Sequence, residues 1–353
     1  MSFKLGLGLA LALFSLTFSV HSFAQQEKLI FAVDVIRHGD RTPIHDLPGT
    51  PYNWPQGLGQ LTPTGMQQEF KLGMAMRKRY IEDTQLLPSQ YSAKTLYVRS
   101  SDYDRTLMSA ESLLFGLYPL GTGPLLPETD TAALPSAYQP IPIHTVPQKD
   151  DTLLVIDSQN HQHYEALLQQ YVYSQPDWKK KTAELQPQFA HWSQLTGVKI
   201  TQLSQLISLG DTLFIRQLYH LPLPTGMTET DERAILEAHH WAFSAIFKTP
   251  ALRQFGQPLL AVIAAYFKQA SQHQNKLKFV LFSGHDTTIM SLMSAMEAPL
   301  ETPPPYASDL SFAVFETATG ETLVKLSLNG NPLRIPACQG TICTLSQFEA
   351  LIN

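Results

Sequence analysis

Two apolar runs in this chain end in the same way, and that repetition limits the fold more than any other feature. Lys28 to Ile36 is a run of alternating and β-branched apolar residues that breaks at Gly39, Asp40 and Pro43. Lys278 to Phe282 is a second apolar run, and it stops at Ser283-Gly284-His285-Asp286. Apolar runs of this length bounded by turn signals read as buried strands. Helical spacing follows each one. After the first, Thr62-Pro63 offers an N-cap and a first-turn proline ahead of Met66, Phe70, Met74, Arg77 and Ile81. After the second, Thr287 to Met296 resumes the helical period. The chain therefore reads as α/β, with polar residues gathered where strands give way to helices, which is where ligands bind in open α/β sheets.

The other segments fit around these two units. Leu96-Tyr97-Val98 reads as a short strand, and Ser101 or Asp102 is expected to cap a helix with Leu107, Ala110, Leu114 and Leu117 on its apolar face and Arg105 in its first turn. Pro119 to Val146 is rich in proline and small polar residues without periodicity, an irregular connection. Residues 150–257 read as helical throughout, near Tyr164–Tyr173, Ile200–Leu218 and Asp231–Phe247, and form the expected cap insertion. Leu259–Ala270 is one more helix, and Phe312–Glu316 and Thr322–Ser327 look like a closing pair of strands. Residues 25–149 and 258–353 are then the expected α/β domain.

Composition decides the kind of partner. With 353 residues, 44% hydrophobic and 16% charged, the chain has ample material for a core. A formal net charge of -5 without a run of Lys or Arg argues against nucleic acid or an anionic membrane surface, so the expected partner is a small molecule. Lys4, the apolar stretch Leu5–Val20 and Ser22-Phe23-Ala24 resemble a secretory leader over residues 1–24, with an uncleaved anchor as the rival reading. Export places the chain in the periplasm or outside the cell, with no membrane segment once the leader is removed. Such a compartment lets Cys338 and Cys343 pair, and half of a metal site is the competing reading of their spacing. A homodimer is compatible with the sequence.

The densest chemical signal is Arg37-His38-Gly39-Asp40-Arg41-Thr42-Pro43. At average residue frequencies, an R-H-G-x-R-x-P match arises by chance in roughly one chain of this length in ten thousand. Two guanidiniums around one imidazole are unfavourable unless an anion joins them, and their donors match phosphate oxygens. They also disfavour protonation of His38, which keeps the lone pair that nucleophilic attack on phosphorus requires. Asp286 is the candidate proton donor to the leaving oxygen, since a bound dianion raises its pKa while the start of the following helix lowers it. Arg105 would offer a third guanidinium beside the helix N-terminus.

Other residues carry weaker signals. His161, His163, His239 and His240 lie in the helical region without matched carboxylate or cysteine partners, so no metal is expected there. Tyr52, Trp54 and Tyr306 are candidates to line a pocket for aromatic esters, against the plainer alternative that loop aromatics simply pack.

Taken together, these motifs resemble the histidine acid phosphatases, in particular the prostatic and lysosomal branch with its bacterial relatives. The similarity is colinear over nearly all of the chain after the leader. It runs through Trp54-Pro-Gln-Gly57, Gly59-Gln-Leu-Thr62, Asp104-Arg-Thr-Leu-Met-Ser-Ala110, Gln139-Pro-Ile-Pro142, His144-Thr-Val-Pro147, His285-Asp-Thr-Thr288 and Pro304-Pro-Tyr-Ala-Ser308 as well as the first motif. The resemblance implies a mixed sheet flanked by helices on both faces with a smaller helical cap. It also implies hydrolysis of phosphate monoesters with release of inorganic phosphate, with His38 as nucleophile, Asp286 as proton donor, and Arg37, Arg41, Arg105 and His285 on the phosphate. No metal or other cofactor is implied, and Cys338 and Cys343 match a disulfide of the family. Phytase-like relatives usually carry His-Asp-x-Asn where this chain has His285-Asp286-Thr287-Thr288, and the phosphoglycerate-mutase branch lacks a counterpart of Arg41.

Overall fold

The computed structural model describes residues 27–156, 161–274, 276–338 and 340–352. The expected leader lies outside them. Strand β1 (Lys28–Arg37) is buried from Leu29 onward. Helix α1 (Pro63–Arg77) starts as its sequence announces, with Pro63 in the first turn and the Thr62 hydroxyl accepting the Gly65 amide at 3.1 Å. A π-helical turn, Lys78–Asp83, continues it. Strand β2 (Leu96–Ser100) leads to α2 (Asp104–Leu117). The cap expected at Ser101 or Asp102 is not made: Tyr103 holds the N-cap position without a side-chain bond. Ser101 is fully buried, and its hydroxyl is taken by Thr106 and His285.

Four helices follow the irregular connection: α3 (His161–Leu168), α4 (Pro176–Thr196), α5 (Gln205–Leu218) and α6 (Glu229–Lys248). The second of these contains Pro187, ends at Gly197 in the left-handed conformation, and was not singled out by the apolar period. Then come α7 (Gln257–Ser271), β3 (Phe279–Gly284), α8 (Asp286–Ala295), β4 (Asp309–Glu316), β5 (Thr322–Leu328), β6 (Asn331–Pro332), β7 (Ile342–Thr344) and α9 (Leu345–Glu349). Cys338 and Cys343 are joined by a disulfide.

The sheet runs β2-β3-β1-β4-β5-β6, with β7 also paired to β5. β3 is parallel to both β1 and β2, whereas β4 is antiparallel to β1 and to β5, so the sheet is mixed. Register brings Arg37 opposite Gly284 and Ser100 opposite Ser283, and the polar ends of three strands emerge side by side. Side chains alternate between faces along each strand. Val33, Val35 and Phe282 meet Phe267 of α7 and Ile289 of α8 on one face. Ala32, Ile36 and Phe279 meet Met76 and Leu113 on the other, under α1 and α2. Those two helices approach backbone to backbone: a Cβ added at Gly73 would stand 1.9 Å from the Leu113 carbonyl. A third core holds α4, α5 and α6 together around Trp192, Leu206, Leu213 and Ile235. Leu47 from the loop after β1 and Met290 from α8 belong to this core too, which ties the helices to the strand ends.

The face under α1 carries an unusual load of acid. Asp34, Glu69 and Asp309 are all buried there. Tyr80 donates to both oxygens of Asp34 at 2.9 Å and lies 3.2 Å from the Ser311 hydroxyl, while Arg79 reaches Asp309 at 3.4 Å. Both Glu69 oxygens and Oδ1 of Asp309 lack a hydrogen-bond partner. Burial raises Asp34 to about 6 against the pull of Arg79, and pushes Glu69 and Asp309 well above the carboxylate range. A carboxyl held neutral by the fold loses its stabilising share as pH rises from its unfolded pKa towards the folded one, because only the unfolded chain gives up the proton. Replacing Glu69 with Gln should therefore gain stability relative to the natural chain by up to about 1.4 kcal/mol per pH unit above about pH 4.5. The difference between urea midpoints isolates this effect from buried histidines, which act with the opposite sign; parallel midpoint profiles would mean that Glu69 is ionised in the fold.

Candidate active site

His38 follows β1 directly, and its backbone is pinned on both sides. Its amide donates to the Gly284 carbonyl at 3.0 Å, and its own carbonyl accepts from Ala307 at 3.2 Å. Gly39 is required by proximity, since a Cβ there would stand 2.4 Å from the Gly65 carbonyl in the first turn of α1. The His38 ring is almost wholly buried, with Nδ1 2.8 Å from the Gly39 carbonyl. A carbonyl can only accept, so the proton sits on Nδ1 and Nε2 keeps its lone pair. Burial first, and then the charges of Arg105, Arg37 and Arg41, hold His38 well below the usual histidine range.

The expected partners converge on this ring. Arg37 Nη2 is 2.8 Å from Asp286 Oδ2, and the Arg37 guanidinium lies over the Tyr306 ring at 4.3 Å. Arg41 donates to both oxygens of Asp211, at 2.9 and 3.1 Å. Arg105, in the first turn of α2, stands over Tyr103 at 4.5 Å and has Nη2 3.4 Å from His285 Nδ1. Because Arg only donates, His285 Nδ1 accepts and its Nε2 carries the proton, given to the Ser101 hydroxyl at 3.0 Å. Burial and the neighbouring guanidiniums lower His285 to about 3, so it is neutral too. Burial and the charge of Arg41 bring Arg105 down to about 10. Each of the three arginines also has a buried Nε without a hydrogen-bond partner. Two neutral imidazoles among three guanidiniums form a seat for an anion.

Asp286 opens α8, and 19% of its side chain remains exposed. Burial raises its pKa, but Arg37, Arg41 and His285 together with the Thr287 amide outweigh that and leave it below the ordinary value. A dianion shared by the arginines would reverse this balance by adding negative charge beside the carboxyl.

Arg37, Arg41 and Asp286 line a cavity of about 840 Å³, whereas His38, Arg105 and His285 are not among its lining residues. Tyr306 lines it as well, while Trp54 is instead packed against Tyr52 and Tyr219. His239 and His240 reach the same cavity, and His239 Nδ1 donates to the Ile207 carbonyl at 2.7 Å; His161 and His163 lie on α3, outside it. The residues that sequence reasoning missed are Ser101, which orients His285, and Asp211, which meets Arg41. Asp211 did leave a signal, a lone carboxylate in the apolar run from Leu209 to Ile215.

Ser101→Ala would strand the buried Nε2–H of His285. A loss of about 1–3 kcal/mol in stability is expected from the unpaired donor, read from a urea midpoint. An unchanged midpoint would show that the hydroxyl does not hold the imidazole.

The model of the histidine phosphatase superfamily, branch 2, matches residues 28–329 of the chain. The lysosomal acid phosphatase of Xenopus laevis is 32% identical over 362 residues, covering 98% of this chain and 81% of that protein. Human prostatic acid phosphatase is 32% identical over 357 residues, covering 97% of this chain and 89% of its own length. Among solved structures, the phytase of Klebsiella sp. ASR1 superposes with a TM-score of 0.69 at 18% identity, covering 93% of this chain and 96% of that one. Hafnia alvei phytase does so at 0.65 and 20%, covering 92% and 96%. At such identities the phytases share the fold.

Proposed function

The chain belongs to the histidine phosphatase superfamily, branch 2, and from that membership we propose that it is an acid phosphatase, hydrolysing phosphate monoesters through a phosphohistidine on His38 with Asp286 as the proton donor. The observation that carries this reading is the neutral His38 ring, its proton committed to the Gly39 carbonyl and Nε2 left as a nucleophile beside three guanidiniums.

Nε2 attacks phosphorus as the bond to the ester oxygen breaks. Arg37, Arg41, Arg105 and His285 hold the phosphoryl oxygens, and their fixed donors serve the charge that spreads there in the transition state. The leaving oxygen takes its proton from Asp286. Water then attacks phosphorus, the P–N bond breaks, the proton of the water returns to Asp286, and inorganic phosphate is released. The Arg37 ion pair keeps Asp286 ionised until the dianion engages the guanidinium and raises its proton affinity. The acid therefore forms on the substrate complex, and activity falls once pH exceeds its pKa there.

Residues 25–149 and 258–353 form the catalytic α/β domain in this reading, with 150–257 as the cap. The leader-like start and the Cys338–Cys343 bond support an exported, oxidising location, which we place in the periplasm or outside the cell.

His38→Ala should abolish turnover, and acid quench of the natural enzyme should trap an acid-labile, base-stable phosphoenzyme; label on Ser or Asp would overturn the assignment. Asp286→Asn should lose about 10²-fold or more on an alkyl phosphate, and far less on a nitrophenyl phosphate, whose leaving group departs without a proton. Equal losses on both, with the alkaline limb of the pH profile unmoved, would move the acid role to another group. Chelators should leave the rate unchanged, because no step uses a metal.

A further inference from the structure

Beyond the phosphate seat, the cavity is walled by groups that decide what the phosphate can be attached to. Ile207, Asp211, Phe214 and Leu218 of α5 all line it, at intervals of four, three and four residues. That is the spacing of one helical face. Phe243 of α6 and Tyr306 add further aromatic wall. Among the described residues lining the cavity, Arg37 and Arg41 are the only Lys or Arg side chains. Both already face carboxylates, Asp286 at 2.8 Å and Asp211 at 2.9 Å. Asp40 lines the cavity too, and accepts from Tyr219 and Thr62.

A phosphoryl group seated on His38 occupies the guanidiniums of Arg37 and Arg41. A second phosphate on the leaving group would then enter a space walled by apolar and aromatic side chains, by the carboxylates of Asp40 and Asp211 and by His45, His239 and His240, with no unclaimed Lys or Arg and with Asp211 beside it. Like charges brought together in a partly desolvated wall are strongly disfavoured. An apolar or aromatic group meets no such opposition and buries its surface against Phe214, Phe243 and Leu218.

We infer that Asp211 is a specificity-determining residue, restricting the site to esters that carry a single phosphate and rejecting polyphosphorylated substrates. The inference rests on the phosphomonoesterase reading above. Rejection by a misplaced like charge is one of the two routes to specificity, the other being better contacts to the accepted substrate.

The test compares kcat/KM for phenyl phosphate, inositol monophosphate and inositol hexakisphosphate on the full-length enzyme. It is run at acid and at neutral pH, because His45, His239 and His240 also line the cavity. The natural enzyme should favour both monophosphates over the hexakisphosphate by about tenfold or more. Asp211→Asn should shrink that preference, and Asp211→Glu, which keeps the charge, should retain it. Because each ratio compares two esters on one enzyme, a general loosening of Arg41 cancels. If the Asn variant does not fold, Asp211→Ser and the natural enzyme's own ratio carry the same test. Equal turnover of all three esters, or an unchanged ratio in the uncharged variants, overturns the role of Asp211 alone. No hydrolysis of any ester and no phosphoenzyme would overturn the phosphatase reading, and this inference with it.

Discussion

Parallel pairing of β1 with β3 sets Arg37 opposite Gly284, and everything at the site depends on that register. Residues 37 and 284 are far apart in the chain, yet one ladder delivers His38 and His285 to the same end of the sheet with their rings 5.5 Å apart. A slip of one residue would turn alternate side chains to the other face and separate the guanidinium of Arg37 from Asp286. Burial on both faces prevents the slip. Val33, Val35 and Phe282 are committed to one core, and Ala32, Ile36 and Phe279 to the other. The apolar residues of the strands thus fix the geometry of polar residues that lie beyond their ends.

Charge is arranged around that geometry so that little of it is unopposed. Arg37 meets Asp286 and Arg41 meets Asp211. Burial, and then the charges of Arg105, Arg37 and Arg41, leave His38 and His285 neutral. Neutrality has a different consequence for each ring. His38 gives its proton to the Gly39 carbonyl and faces the site with a lone pair. His285 gives its proton to Ser101 and accepts from Arg105. The imidazoles are thus distinguished by their hydrogen bonds and not by their basicity, and those bonds come from backbone and α2-side groups that close packing brings within reach.

Chemistry and selection come from different parts of the chain. In the proposed mechanism the strand ends and the first turns of α2 and α8 supply the phosphate seat and the acid. One face of α5 and the neighbouring face of α6 wall the cavity together with the loop after β1, the first turns of α1 and the loop before β4. Leu47 and Met290 bind the two parts together through shared core, so the wall is held against the seat by packing as well as by the Arg41–Asp211 pair.

The sequence by itself determined the α/β class, both strand-to-helix breaks, and the group His38, Arg37, Arg41, Arg105, His285 and Asp286. It could do so because strand and helix periods and the matching of guanidinium to phosphate are local, written within a few residues. Local signals misled at Ser101, whose hydroxyl would suit a helix cap but which is drawn inward to His285, and they left α4 inside the helical stretch 150–257 without marking its ends. Only the tertiary structure decided the tautomers of the two histidines, the buried acids Asp34, Glu69 and Asp309 under α1, and the meeting of Asp211 with Arg41. Each of these depends on groups from separate elements whose distance is set by packing, and residues 41 and 211 carry no mutual mark in the chain until the fold sets them 2.9 Å apart.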